Sequence, residues 1–124
     1  MKTIIAGSRT ITDYNELLKA IDKIDWEITV VISGNARGVD RLGERWAREN
    51  NIPLKKYYPD WDKYGKAGGF KRSEKMVWDA EALLALWDGK SNGTKHTITL
   101  AQNRGLLNYV HNVESEGCGN EKYR

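Results

Sequence analysis

The chain reads as an α/β fold: a Rossmann-like, doubly wound three-layer sandwich on a five-stranded, mainly parallel sheet. Three observations predict it. Short apolar, β-branched runs (TIIA, TVVI, ALLALW) alternate with longer segments whose apolar residues recur at helical period. The runs lack polar alternation, the pattern of strands covered on both faces. The connections between them are short, as in chains of strand-helix-strand units.

In order, residues 3–6 form the first strand, ended by Gly7. Asp13 and Glu16 have capping-box spacing ahead of Leu17, Leu18, Ile21 and Ile24, which give a helical stripe. Residues 29–32 form the second strand. Val39, Leu42, Trp46 and Ala47 mark the next helix, which stops near Asn50 and Asn51, ahead of Pro53. Residues 54–58 read as a weaker third strand. After a turn-rich stretch, residues 70–80 read as a helix with Met76 and Val77 facing inward. Residues 82–87 form the fourth strand, 88–93 a loop, 94–104 a helix and 106–110 the fifth strand. The domain is expected over 1–113, with a polar tail over 114–124.

Composition narrows the function classes. The net charge of +3 comes from cations interleaved with acids, as in DRLGERWAREN, so a solvated mixed surface is expected and a nucleic-acid partner is not. No apolar run approaches the roughly 18 residues of a membrane span. The four-residue apolar run near the N-terminus is too short for the core of a signal peptide. The lone cysteine, Cys118, gives no disulfide framework and no Cys-rich metal site, and a cytoplasmic location is expected. His96 and His111 lack ligand spacing, so no metal is expected, and no cofactor. Ser8, Ser33 and Ser91 lack the context of a nucleophile elbow.

In doubly wound sheets ligands bind beyond the carboxyl ends of the strands. Small residues stand there beside cations, hydroxyls or acids: Gly7-Ser8-Arg9 after the first strand, and Ser33-Gly34-Asn35-Ala36-Arg37-Gly38-Val39-Asp40 after the second. Trp61, Gly69 and Arg72 follow the third, and Asp88-Gly89-Lys90-Ser91-Asn92-Gly93-Thr94 the fourth. The opposite ends, such as Asn50-Asn51-Ile52-Pro53, are ordinary polar turns. Glycines let backbone approach an anion, and a helix N-terminus offers free N–H donors. Arg37 adds a planar fork for phosphate, expected to act with the amides of residues 34–39. Asp40 either accepts from a ribose hydroxyl or complements the helix dipole, and Thr94 either caps its helix or binds phosphate. Trp61 and Trp87 either stack on a base or pack. Trp26, Trp46 and Trp78 are expected in the core or an interface.

These ordered motifs, GSR, SGxARGVDxLGxxWA, GKAGGFKR and LWDGKSxGTxxTIxxA, resemble the SLOG superfamily. The resemblance is to its small stand-alone YspA-related (cpYpsA-type) members and covers about residues 1–112. It implies a Rossmann-like domain that binds nucleotides or nucleotide-derived ligands. More distant relatives are the LOG phosphoribohydrolases and the DNA-processing protein Smf/DprA. The phosphoribohydrolases carry a PGGxGTxxE loop whose glutamate serves glycosidic cleavage, and the place of that glutamate falls on Thr97. Related proteins often have Arg-Asn at Arg72-Ser73, a departure at one ligand contact. A hydroxyl cannot do that carboxylate's work. The expectation is therefore a sensor or sequestering protein with no assigned catalytic residue. The alternative is a hydrolase cleaving an N-glycosidic or pyrophosphate bond through Asp40, Asp88 or Glu74. A homo-oligomer is also expected, through a helix face holding Phe70, Met76, Val77 and Trp78.

Overall fold

Strands β1 (Lys2–Gly7), β2 (Val30–Ser33), β3 (Leu54–Lys56), β4 (Ala82–Trp87) and β5 (Leu107–Asn112) pair into one sheet. Every pairing is parallel, and the strand order is β3-β2-β1-β4-β5. The computed structural model describes residues 1–113, so the expected tail and Cys118 lie outside the described residues. Five α-helices accompany the strands: α1 (Tyr14–Lys23), α2 (Val39–Glu49), α3 (Trp61–Tyr64), α4 (Gly68–Asp79) and α5 (Asn92–Asn103).

The unbroken apolar runs follow from the two faces they must cover. Register sets Ile4 opposite Leu83 and Ile5 opposite Leu84, and successive side chains point to opposite faces. Ile5, Val31, Leu84 and Leu86 pack against Leu17 and Ala20 of α1 and Val39, Leu42 and Ala47 of α2. Ile4, Ile32, Leu83 and Ala85 pack against Met76 and Val77 of α4 and Ile98 and Ala101 of α5. At 25 cal/mol per Å² or so of apolar burial, this double core is the main term favouring the fold. The edge strand β3 is only three residues long, with Lys55 and Lys56 exposed, which discourages further pairing.

The structure differs from the sequence expectation in several places. Asp13 does cap α1, its carboxylate accepting the Asn15 N–H at 2.9 Å. Glu16 does not close a capping box: it reaches Lys19 and, at 2.9 Å, His111 on β5. The expected turn-rich stretch contains α3, capped by Asp60 through the Lys63 N–H at 3.0 Å, and a 3-10 turn over Gly65–Ala67. One helical turn is too short to show periodicity, and the glycines masked the start of α4. On α4, Met76 and Val77 are absorbed by the core, so the expected oligomer face reduces to Phe70 and Trp78. Trp78 is 70% exposed, with the Arg104 guanidinium 3.7 Å above its ring. Trp26 is half-buried and donates to Thr3 Oγ1 at 3.1 Å.

The order β3-β2-β1-β4-β5 means the chain leaves β1 in one direction for β2 and β3, then returns to β4 on the other side. The reversal lies between β1 and β4, and a crevice forms beyond their carboxyl ends. No helix among the described residues is long and apolar enough to cross a membrane.

Candidate functional site

A cavity of about 290 Å³ occupies that crevice. Its volume is just below the usual range for small-ligand sites, about 300–1,000 Å³. Ala6, Gly7 and Arg9 line it from the end of β1, and Gly34, Ala36 and Asp40 from the β2–α2 connection. Trp61 and Lys66 come from α3 and the turn after it, and Gly69, Phe70, Arg72, Ser73 and Met76 from α4. The first turns of α5 contribute Gly93, Thr94 and Thr97, with Ser91 just before them.

The β2–α2 connection is built around its glycines. Gly38 has φ +74°, and a Cβ there would stand 2.4 Å from the Ser8 carbonyl oxygen, so the loop after β1 packs directly on this backbone. Gly34 has no room for a side chain either. A Cβ would lie 3.0 Å from Arg72 Nε and 3.0 Å from Asp40 Oδ2, so these two groups are near neighbours across the glycine.

Asp40 is 5% exposed, and its Oδ2 accepts the Ala36 N–H at 3.1 Å. Burial pushes its carboxyl up to about 6; the Ala36 and Gly34 N–H groups and the Arg72 charge oppose the rise, and nearby Glu44 adds to it. Arg72 Nη1 donates to the Gly34 carbonyl at 3.0 Å, while its Nε is buried without a partner. Burial lowers the Arg72 pKa, Asp40 acting against that and Arg9 adding to it.

The α5 end is organised by Asp88 and Ser91. Asp88 Oδ1 accepts the Lys90 and Ser91 N–H groups at 2.8 and 2.9 Å, which folds the loop through Gly89. Ser91 caps α5, its Oγ accepting the Thr94 N–H at 3.4 Å and the Thr94 hydroxyl at 3.1 Å. No acid occupies the first turn of α5, so its positive dipole end is left for an anion. Thr97 Oγ1 lies 3.2 Å from Ser73 Oγ and 3.1 Å from the Gly93 carbonyl, tying α5 to α4 on the cavity floor.

Residues 1–64 match the family described as YspA, cpYpsA-related SLOG. The chain belongs to this family. It is also 32% identical over 115 residues to the Gene 61 protein of Mycobacterium phage D29, with 85% of this chain and 91% of that protein covered. No solved structure matches. Membership of the SLOG family points to nucleotide-related ligand binding or processing.

Of the residues expected at the site, Gly7, Arg9, Gly34, Ala36, Asp40, Trp61, Gly69, Arg72, Ser91, Gly93 and Thr94 line the cavity. Ser8, Ser33, Arg37, Gly38, Asp88 and Gly89 do not. Ser8 Oγ accepts the Asp88 N–H at 3.1 Å and joins the loops after β1 and β4. Ser33 Oγ donates to Glu44 at 2.7 Å and accepts the Asn35 N–H at 3.1 Å. Arg37 is exposed on the outside of its loop, and Arg9 and Arg72 stand in the cavity instead. Trp87 donates to the Ser91 carbonyl at 3.0 Å and packs on the inner core, so only Trp61 of the two strand-end tryptophans lines the cavity.

Ala6, Lys66, Phe70, Ser73, Met76 and Thr97 also line the cavity and were not among the expected ligand residues, although GKAGGFKR carries Lys66 and Phe70. Glu44 was missed too: it reads as one charge among many in a mixed helix, yet it is 2% exposed and its carboxylate faces Ser33, Arg41 and Lys56. His96 stacks on Phe70, ring centroids 4.6 Å apart. Among the described residues no group of three or more His, Cys, Asp or Glu side chains is placed to hold a metal ion.

Proposed function

We propose that the chain binds a nucleotide or nucleotide-derived phosphorylated ligand in this cavity, as a sensor or sequestering protein. The observation that carries this is the charge of the lining: among the described residues Arg9, Lys66 and Arg72 stand against Asp40 as the single acid, beside the acid-free first turn of α5. A phosphate then sits near Arg9 and the α5 amides, and Trp61 and Phe70, both substantially exposed, offer faces for a ring. Thr97, a hydroxyl pinned to α4, supports binding over glycosidic cleavage. Calorimetry with adenosine 5′-monophosphate (AMP) tests the proposal. Saturable binding is expected, and the absence of binding by AMP and by inorganic phosphate contradicts it.

One observation favours a second function, hydrolysis. Asp40 is a buried cavity carboxyl titrating near 6, the range of a general acid or base. Release of free base from AMP by the purified protein, abolished in Asp40→Asn, would establish it. We also propose a cytoplasmic homo-oligomer, supported by the exposed Trp78. Light scattering at a mass near the 14.1 kDa of one chain contradicts the oligomer.

A further inference from the structure

Arg72 and Asp40 face each other across Gly34 in an unfinished arrangement. One arm of the guanidinium is fixed on the Gly34 carbonyl, its Nε is buried with no partner, and its charge leans on the Asp40 carboxylate. Asp40 in turn is held by loop amides and is the only acid among the described residues that line the cavity. An anion beside an ionised, buried Asp40 is repelled in a place where little water screens the two charges. Both groups line the cavity, so the ligand and Asp40 compete for the same cation.

We propose that an anionic ligand binds together with one proton, which the Asp40 carboxylate takes up from solvent, so that the Arg72 charge passes from Asp40 to the ligand. This rests on the phosphorylated-ligand function proposed above and adds its regulation by pH. The charged groups around Asp40 agree with it. Arg72 faces it from α4, with Arg9 of the β1–α1 loop acting on Arg72. Glu44 stands one turn along α2, itself facing Arg41 and, from β3, Lys56. Lys66 lies further round the lining.

The sign follows from linkage. The ligand-free carboxyl titrates at about 6, and a nearby anion raises that value, so between the two values binding takes up a proton. Affinity therefore increases as pH falls through the window above about 6. The ligand's own phosphate, with its second pKa near 6, works in the opposite sense: preference for its dianion releases protons on binding. Net uptake thus comes from the protein and not from the ligand, and its loss in Asp40→Asn assigns it to Asp40 rather than to the imidazole of His96, which packs on the lining residue Phe70.

Titration calorimetry of the whole protein with AMP near pH 7, in two buffers of different ionisation heat, measures this directly. The expected result is net proton uptake, with affinity falling by up to about tenfold per pH unit above neutrality. Asp40→Asn should bind AMP without uptake, its affinity rising with pH up to about neutrality, as the phosphate dictates, and level above it. AMP binding by the wild type with no uptake, or with release, overturns the proton link and leaves the ligand proposal standing. Failure of the wild type to bind either AMP or inorganic phosphate overturns both. If Asp40→Asn folds poorly, Asp40→Ser takes its place in the same titrations, and uptake retained in it overturns the assignment to Asp40.

Discussion

Asp40→Asn should make the free protein more stable at pH 8 while leaving it no more stable at pH 4. The buried carboxyl titrates at about 6 against an ordinary 3.8, so the folded state holds the proton more tightly than the unfolded chain does. Stability is therefore lost as pH rises from 3.8 to about 6, and stays lost above it; the gap corresponds to about 3 kcal/mol. Asparagine removes the charge and keeps an oxygen for the Ala36 N–H. It also turns one acceptor into a donor beside the Gly34 N–H, a loss of about 1–2 kcal/mol. The net expectation is a gain of about 1–2 kcal/mol at pH 8, several degrees in Tm for a domain of this size. Thermal or urea unfolding of both proteins at pH 4 and pH 8 measures it. A variant less stable than wild type by the same amount at both pH values would refute the reasoning, because Asp40 would then be a fully compensated charge.

Other outcomes follow from the same geometry. Arg9→Ala should weaken AMP by about 1.5–3 kcal/mol, the scale of a charge-assisted hydrogen bond, and exposed Arg37→Ala by under about 1 kcal/mol, as calorimetry will show. Gly38→Ala should cost at least about 1–3 kcal/mol in denaturant unfolding, since φ is +74° and the methyl meets the Ser8 backbone. Asp79 accepts from Lys55, Tyr57 and Lys2, and these bonds, led by that from Lys55, hold its pKa below the ordinary value. Its stabilisation is present above the unfolded aspartate pKa of about 3.9 and disappears as pH falls through the lower folded value. Asp79→Asn should accordingly lose about 1 kcal/mol at neutral pH, with the gap to wild type closing on acidification in urea titrations.

Much of the fold was legible because the strand runs are buried on both faces and carry no competing pattern. TIIA and ALLALW needed no tertiary information, and ALLALW coincides with β4 from Ala82 to Trp87. The glycine loops were legible because small residues gather beyond the carboxyl ends of the first four strands and not at their opposite ends. The roles inside those loops were not. Ser33 turns to Glu44 on α2, Asp88 to the amides of its own loop and Ser8 to the loop after β4, none of them into the cavity. Arg37 and Arg72 look equivalent in sequence, and only α4 packing across Gly34 turns Arg72 inward. Glu16 shows the limit of a local rule, since its capping partner lost to His111, 95 residues away. Likewise Lys66 and Phe70 reach the cavity only because the single-turn helix α3 folds the chain back over its mouth.

We propose that a phosphorylated, nucleotide-derived ligand occupies the cavity beyond the carboxyl ends of β1 and β4. Mass spectrometry of small molecules carried through purification tests it most directly, with wild type set beside Gly93→Trp. Gly93 lines the cavity and nothing lies within 4 Å of a Cβ placed on it, so a tryptophan there crowds the cavity rim without disturbing the core. The account predicts a phosphorylated nucleotide-derived compound released from the wild type and absent from the folded variant. The same compound carried equally by both proteins would contradict it.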